Sequence, residues 1–181
     1  MKIGIIEGSV RKGRIATSVA DWVAAQAAER ADVDYTVIRL ADYDLPFVDT
    51  ETPPAALGGV YPYESVQQWA DAVGACDAFI LVTPEYNHGV PGALKNAIDW
   101  LGPELQGKAA ALVSYGADKG VRAVEQWRQI LANFSMHVIR TQVSLDLFSE
   151  FTDGAVTLME RRTKEIASLF TQLEQAAALR A

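Results

Sequence analysis

Cysteine is all but missing from this chain: Cys76 stands alone among 181 residues, which excludes an intrachain disulfide and any metal cluster of the Cys-x-x-Cys type. A reducing cytoplasm is the expected compartment. Basic residues are too few to balance the acids, and the formal net charge of −7 argues against nucleic-acid binding, which needs a basic stripe, and against an anionic membrane surface. No apolar run approaches the ~20 residues of a membrane span, and Met1-Lys2 leads straight into Ile3-Gly4-Ile5-Ile6, too short for a secretory leader. Two nucleotide signatures are also missing. There is no Gly-x-x-x-x-Gly-Lys-Ser/Thr and no Gly-x-Gly-x-x-Gly, so a nucleoside triphosphate or a tightly held dinucleotide is less expected than a mononucleotide.

What is present is ordinary for a globular protein, with 50% hydrophobic and 22% charged residues. The length suits one domain over residues 1–181. Lys2 to Glu7 reads as a buried strand that stops at Gly8-Ser9, and Ile15, Val19, Trp22 and Val23 follow at helical spacing. Val33 to Leu40 has the mixed polarity of a strand nearer the sheet edge. Ala78-Phe79-Ile80-Leu81-Val82 is the apolar run of a central parallel strand, and Pro91 then opens a helix whose inner face carries Leu94, Ile98 and Leu101. Lys108 to Tyr115 and His137 to Val143 read as the remaining strands, with a helix over Val121 to Asn133 between them. Val156, Met159, Thr163, Ile166, Phe170 and Leu173 give a long terminal helix.

Strands alternating with helices predict an α/β fold: a doubly wound, flavodoxin-like sheet of five parallel strands in order 2-1-3-4-5, with helices on both faces. Ligands of such sheets bind beyond the carboxyl ends of the strands at the switch point. That rule selects three loops: Gly8 to Arg14, Pro84 to Val90, and Ser114 to Gly120. A fourth segment, Ala41 to Tyr63, is rich in Pro and Gly and carries Tyr43, Phe47, Tyr61 and Tyr63; it either covers a site or meets another subunit, or is a surface loop pinned by buried rings.

The first loop opens a helix, so its free N–H groups favour an anion, and Arg11, Lys12 and Arg14 concentrate positive charge there in an otherwise acidic chain. Ser9 adds a hydroxyl. A phosphate monoester is the expected guest. The second loop, Pro84-Glu85-Tyr86-Asn87, offers backbone amides, an aromatic face and a side-chain amide to a flat heterocycle.

Gly8-Ser9-x-Arg11, Pro84-Glu85-Tyr86-Asn87 and the stretch from Pro91 to Trp100, Pro-Gly-Ala-Leu-Lys-Asn-Ala-Ile-Asp-Trp, resemble the NAD(P)H-dependent FMN reductase family, which includes flavodoxin-like quinone, chromate and azo-dye reductases. The resemblance implies FMN as cofactor, NADPH or NADH as reductant and a small-molecule electron acceptor such as a quinone or free flavin. It places the FMN phosphate on Ser9 and Arg11 and on backbone N–H groups from Arg14, Ile15 and Ala16. It places Pro84, Glu85, Tyr86 and Asn87 along the isoalloxazine ring, and Ser114, Tyr115 and Gly116 at the ring's other edge. It implies a homodimer or homotetramer and a ping-pong hydride transfer with no side-chain catalyst, because the flavin itself accepts the hydride.

His88 is placed either against substrate, at a subunit contact, or free at a loop tip, and Lys119 either near a 2′-phosphate or in solvent. Asn96 and Asp99 are expected to serve structure or a subunit contact, with Lys95 and Asp99 paired across one helical turn, and His137 and Cys76 to be structural. Two rivals share the fold. An electron carrier of the flavodoxin type would bind FMN without turning over a substrate, and a phosphoacceptor domain would need an aspartate after the third strand, where this chain has Thr83-Pro84.

Overall fold

A computed structural model describes residues 1–157 and 159–180. The chain alternates β1 (Lys2–Glu7), α1 (Ala16–Ala27), β2 (Asp34–Arg39), α2 (Glu64–Gly74), β3 (Ala78–Pro84), α3 (Gly92–Asp99), β4 (Ala109–Gly116), α4 (Val121–Ala132) and β5 (His137–Asp146). A short ribbon, β6 (Phe151–Thr152) and β7 (Ala155–Val156), precedes the long α5 (Glu160–Ala178). The five main strands are parallel and ordered β2-β1-β3-β4-β5, the order the sequence pattern predicts.

Burial follows from that order. β3 lies at the centre and buries all seven of its residues, whereas edge strand β2 fully buries only Ile38. Side chains alternate across the sheet: Ile3 and Ile5 pack with α1 and α5, around Val19, Leu169 and Phe170, while Ile6 packs with α2, α3 and α4. That second core is built on three fully buried tryptophans, Trp69, Trp100 and Trp127. The indole N–H of Trp69 donates to the Ala97 carbonyl at 2.9 Å and that of Trp127 to Thr83 Oγ1 at 3.0 Å, so both heads are satisfied inside the core.

The terminal helix starts later than its hydrophobic period suggests. Val156 belongs to β7, opposite Phe151, and the ribbon turns through Asp153 and Gly154, both at positive φ (50° and 79°). Thr163, expected on the inner face of α5, is exposed. Leu169 is buried instead, and so is Arg162, which the pair with Glu150 makes possible.

The 41–63 segment is pinned from α3. Asn96 Nδ2 and Trp100 Nε1 both donate to the Pro46 carbonyl at 2.8 Å, and Val48 N–H donates to Asn96 Oδ1 at 3.3 Å. Tyr43 packs edge-on against Trp69, Tyr63 against Trp100, and buried Tyr61 donates to Glu104 Oε2 at 2.8 Å. Phe47 is the exception. It is 84% exposed.

Candidate cofactor site

The loops following β1, β3 and β4 meet at the carboxyl edge of the sheet, where the chain winds one way from β1 and the other way from β3. Gly8 begins the first loop by extending the ladder, its N–H donating to the Val82 carbonyl at 2.9 Å. Only glycine fits there, because a Cβ would stand 2.4 Å from Leu94 Cδ2 and 2.8 Å from the Val82 carbonyl. Ser9 is buried next to it, and its hydroxyl lies 2.7 Å from the Tyr86 hydroxyl, so the first and second loops are joined directly. Arg14 N–H closes a turn onto the Arg11 carbonyl at 3.2 Å with Gly13 at φ 67°.

Electrostatics in this loop is uneven. Arg11 and Lys12 are exposed and form no ion pair among the described residues, whereas Arg14 Nε donates to Glu7 Oε1 at 2.6 Å. Helix α1 begins at Ala16 with no side-chain cap and no acidic residue in its first turn. An uncapped helix start beside two unpaired cations is a ready anion site. Ile15 is the N-cap residue, and Ala16 is packed into the core, so both can offer an anion their backbone only.

Pro84 closes β3 and is buried, and the second loop is a two-residue hairpin turn. Tyr86 and Gly89 exchange N–H···O bonds of 3.0 Å each, with Asn87 and His88 between them at φ 49° and 68°. Asparagine tolerates that left-handed backbone well, and such a turn displays both central side chains outward. Asn87 and His88 are accordingly exposed at its tip.

Helix α4 holds the turn. Gln126 Nε2 donates to the His88 carbonyl at 3.1 Å, and its Oε1 accepts Val90 N–H at 3.1 Å. The Glu85 carboxylate points to the same helix, accepting the backbone N–H groups of Arg122 at 3.0 Å and Ala123 at 3.4 Å and pairing with the Arg122 guanidinium. Glu85 therefore caps α4, whose own N-cap residue, Gly120, has no side chain to do so. Glu85→Ala is expected to lower stability by about 1 kcal/mol through this cap, read as a lower urea midpoint at unchanged m.

The third loop turns inward. Ser114 Oγ donates to the Lys119 carbonyl at 2.7 Å, and both Ser114 and Tyr115 are buried, leaving backbone from Gly116 onward at the surface. Burial pushes the Tyr115 phenol well above its usual range, partly offset by Arg11. Gly116 O accepts from Lys119 N–H and Leu147 N–H, both at 3.0 Å, which ties this loop to the end of β5. Gly120, at φ 71°, sits where a Cβ would come within 2.9 Å of Ser114 Cβ.

The expected residues are thus sorted by side chain. Ser9, Arg11, Tyr86 and Asn87 are grouped at the mouth, while Arg14 turns to Glu7, Glu85 to α4, and Ser114 and Tyr115 into the interior. Lys95 and Asp99 form the expected exposed pair at 2.6 Å. A cavity of about 580 Å³ opens beside the first loop, between Val10, Leu45, Phe47 and the first turn of α3. Sequence reasoning missed Glu7 and Gln126 as supports; Glu7 had a signal, a lone carboxylate ending an apolar strand just before a basic loop.

The sequence model of a family described as NADPH-dependent FMN reductase matches residues 1–150. The chain belongs to this family. An NAD(P)H-dependent FMN reductase of Schizosaccharomyces pombe is 33% identical over 169 residues, covering 93% of this chain and 84% of that one. A quinone reductase of Escherichia coli is 34% identical over 140 residues, covering 72% and 69%. The structure of a flavoenzyme NAD(P)H:(acceptor) oxidoreductase from Paracoccus denitrificans superposes with a TM-score of 0.77 at 22% identity, covering 98% and 97% of the two chains, which shows the common fold. As an FMN reductase, this chain is an FMN-dependent NAD(P)H oxidoreductase, which sets aside the electron-carrier and phosphoacceptor alternatives. No helix among the described residues is long and apolar enough to cross a membrane.

Proposed function

We propose that this reductase holds FMN with its phosphate in the Gly8–Ala16 loop and its ring against Pro84–Asn87, and that it passes electrons from NAD(P)H to a small planar acceptor such as a quinone or a free flavin. The observation that carries this reading is the uncapped start of α1 with Arg11 and Lys12 unpaired beside it, in a chain of net charge −7. That donor set fits a phosphate monoester. When bound, FMN supplies the redox chemistry, accepting a hydride from the nicotinamide and returning two electrons to the acceptor.

The protein's part is binding and orientation. Arg11 holds the phosphate with a charge-assisted hydrogen bond, and Ser9, Ile15 and Ala16 complete the cradle with a hydroxyl and backbone N–H groups. The Arg14 N–H is already engaged by the Arg11 carbonyl, so Arg14 contributes there only through the guanidinium nitrogens that Glu7 leaves free. The Tyr86–Gly89 turn, clamped by Gln126, fixes the amides of Glu85 and Asn87 against the ring, while the Tyr86 N–H closes the turn on Gly89, and Gly116 closes the far edge from the β4 loop. Charge developing on the ring's oxygens and nitrogens would meet fixed N–H dipoles in both loops. The cavity between Val10 and Phe47 is of a size that admits a small aromatic acceptor, and exposed Phe47 beside it offers an apolar contact for the second subunit of a homodimer or homotetramer. The single unpaired cysteine supports a reducing, cytoplasmic setting.

Both half-reactions use one site in this reading. Initial rates measured with NADPH and a benzoquinone should therefore give parallel double-reciprocal lines, as a ping-pong enzyme does. Intersecting lines would mean that both substrates are bound at once.

A further inference from the structure

The phosphate loop rests on a buried charge that the flavin chemistry does not use. Glu7, the last residue of β1, is fully buried and lies on the same face of the strand as Ile3 and Ile5, beneath α1. Its Oε1 accepts Arg14 Nε at 2.6 Å and Thr17 Oγ1 at 2.8 Å, and its Oε2 accepts Arg39 Nη1. Arg39 is the register neighbour of Glu7 on β2 and reaches on to Asp21 Oδ1 at 2.7 Å. One carboxylate thereby fastens the ends of two strands, the last residue of the loop and the first turn of α1.

Stability alone does not account for a carboxylate here. Replacing buried ion networks by apolar side chains of similar volume is often neutral or stabilising, and this position continues a row already occupied by isoleucines. What an apolar residue could not do is orient its neighbours. Holding Arg14 by Nε leaves its Nη1 and Nη2 with no acceptor among the described residues, in the planar fork that matches a phosphate. Thr17 fixes the first turn of α1 to the same oxygen, so the free helix N–H groups and that fork are set relative to one another.

We propose that Glu7 is a positioning residue for the phosphate monoester: it orders Arg14 and the start of α1 so that the site prefers FMN to riboflavin, the same ring without the phosphate. This rests on the assignment of the phosphate to the Gly8–Ala16 loop. In Glu7→Gln one amide oxygen replaces two carboxylate oxygens, and the new N–H₂ faces guanidinium donors, so Arg14 and Arg39 cannot both be held.

Fluorescence titrations of wild type and Glu7→Gln with FMN and with riboflavin provide the test. FMN affinity should fall on the order of tenfold, the usual effect of losing a residue that orients a ligand-binding group, while riboflavin affinity stays within about twofold. If both affinities move in parallel, or neither moves, the proposal is overturned, because a general structural role would not separate the two flavins. Should Glu7→Gln fail to fold, Glu7→Asp keeps the charge but withdraws it by one methylene, and the same loss of FMN preference is expected. Arg11→Ala separates the two levels of the argument. Unchanged FMN affinity in Arg11→Ala sinks the site itself, whereas a response to Arg11→Ala but not to the Glu7 variants sinks only the role of Glu7.

Discussion

Arg11→Ala weakens FMN binding about ten- to a hundredfold, the equivalent of about 1.5–3 kcal/mol for a hydrogen bond to a charged group. The expectation follows from what surrounds the side chain. Arg11 is exposed at the mouth and has no carboxylate partner among the described residues, so its charge is not spent within the protein. Arg14, by contrast, is paired with Glu7. Folding should be little affected by the change, since Arg11 is exposed and surface substitutions of this kind usually stay within about 0.5 kcal/mol. Fluorescence titration of FMN together with a urea melt checks both halves of the prediction.

Arg162→Met should lower the unfolding free energy by about 3–5 kcal/mol, the cost of leaving a buried carboxylate without its cation. Arg162 Nε and Nη2 grip Glu150 Oε1 and Oε2 at 2.6 and 2.7 Å in a bidentate pair, Nη2 also donates to the Ser144 carbonyl at 2.6 Å, and Nη1 pairs with Glu165. Glu150 in turn accepts Asp146 N–H at 2.7 Å, so the pair closes the 146–150 loop and docks the first turn of α5. The partnership with Arg162 holds the Glu150 carboxyl below the usual carboxylate range. A depressed pKa in the folded state contributes stability above the unfolded value of about 4.3, and that contribution is lost as pH falls through the folded value. The gap between wild type and Arg162→Met in urea melts should therefore be full at neutral pH and narrow below about pH 4. A gap that is constant with pH would mean that packing, not the charge, supplies the difference.

Much of this architecture could be read from the chain. Apolar runs such as Ala78–Val82, each followed by a loop and an amphipathic helix, were enough to order the strands and to select the three loops at the carboxyl edge. The ribbon of Phe151 to Val156 was not legible from periodicity, because Val156 and Met159 fit the helical spacing of Ile166 and Phe170. Side-chain direction was the harder matter. Glu85 sits in a motif that lines the ring by resemblance, yet its carboxylate caps a helix that starts 36 residues later, at Val121. Glu7 finds Arg39 across 32 residues through strand pairing. Neither link leaves a local trace, since both depend on which elements the fold brings side by side.

The aromatic segment after β2 shows the same limit from the other side. Its tyrosines did turn out to be pinning groups, held against Trp69, Trp100 and Glu104, while Phe47 alone projects outward. Composition marked the segment as special; only the partners on α2, on α3 and just beyond it divided its residues into anchors and one exposed ring.

The most direct measurement is an anaerobic NADPH titration of the FMN-reconstituted protein, followed by its visible spectrum. One FMN per chain should survive gel filtration, its absorbance at about 450 nm should bleach with one equivalent of NADPH, and the colour should return on adding a benzoquinone. Protein that keeps no FMN, or FMN that stays yellow in excess NADPH and NADH, would contradict the account.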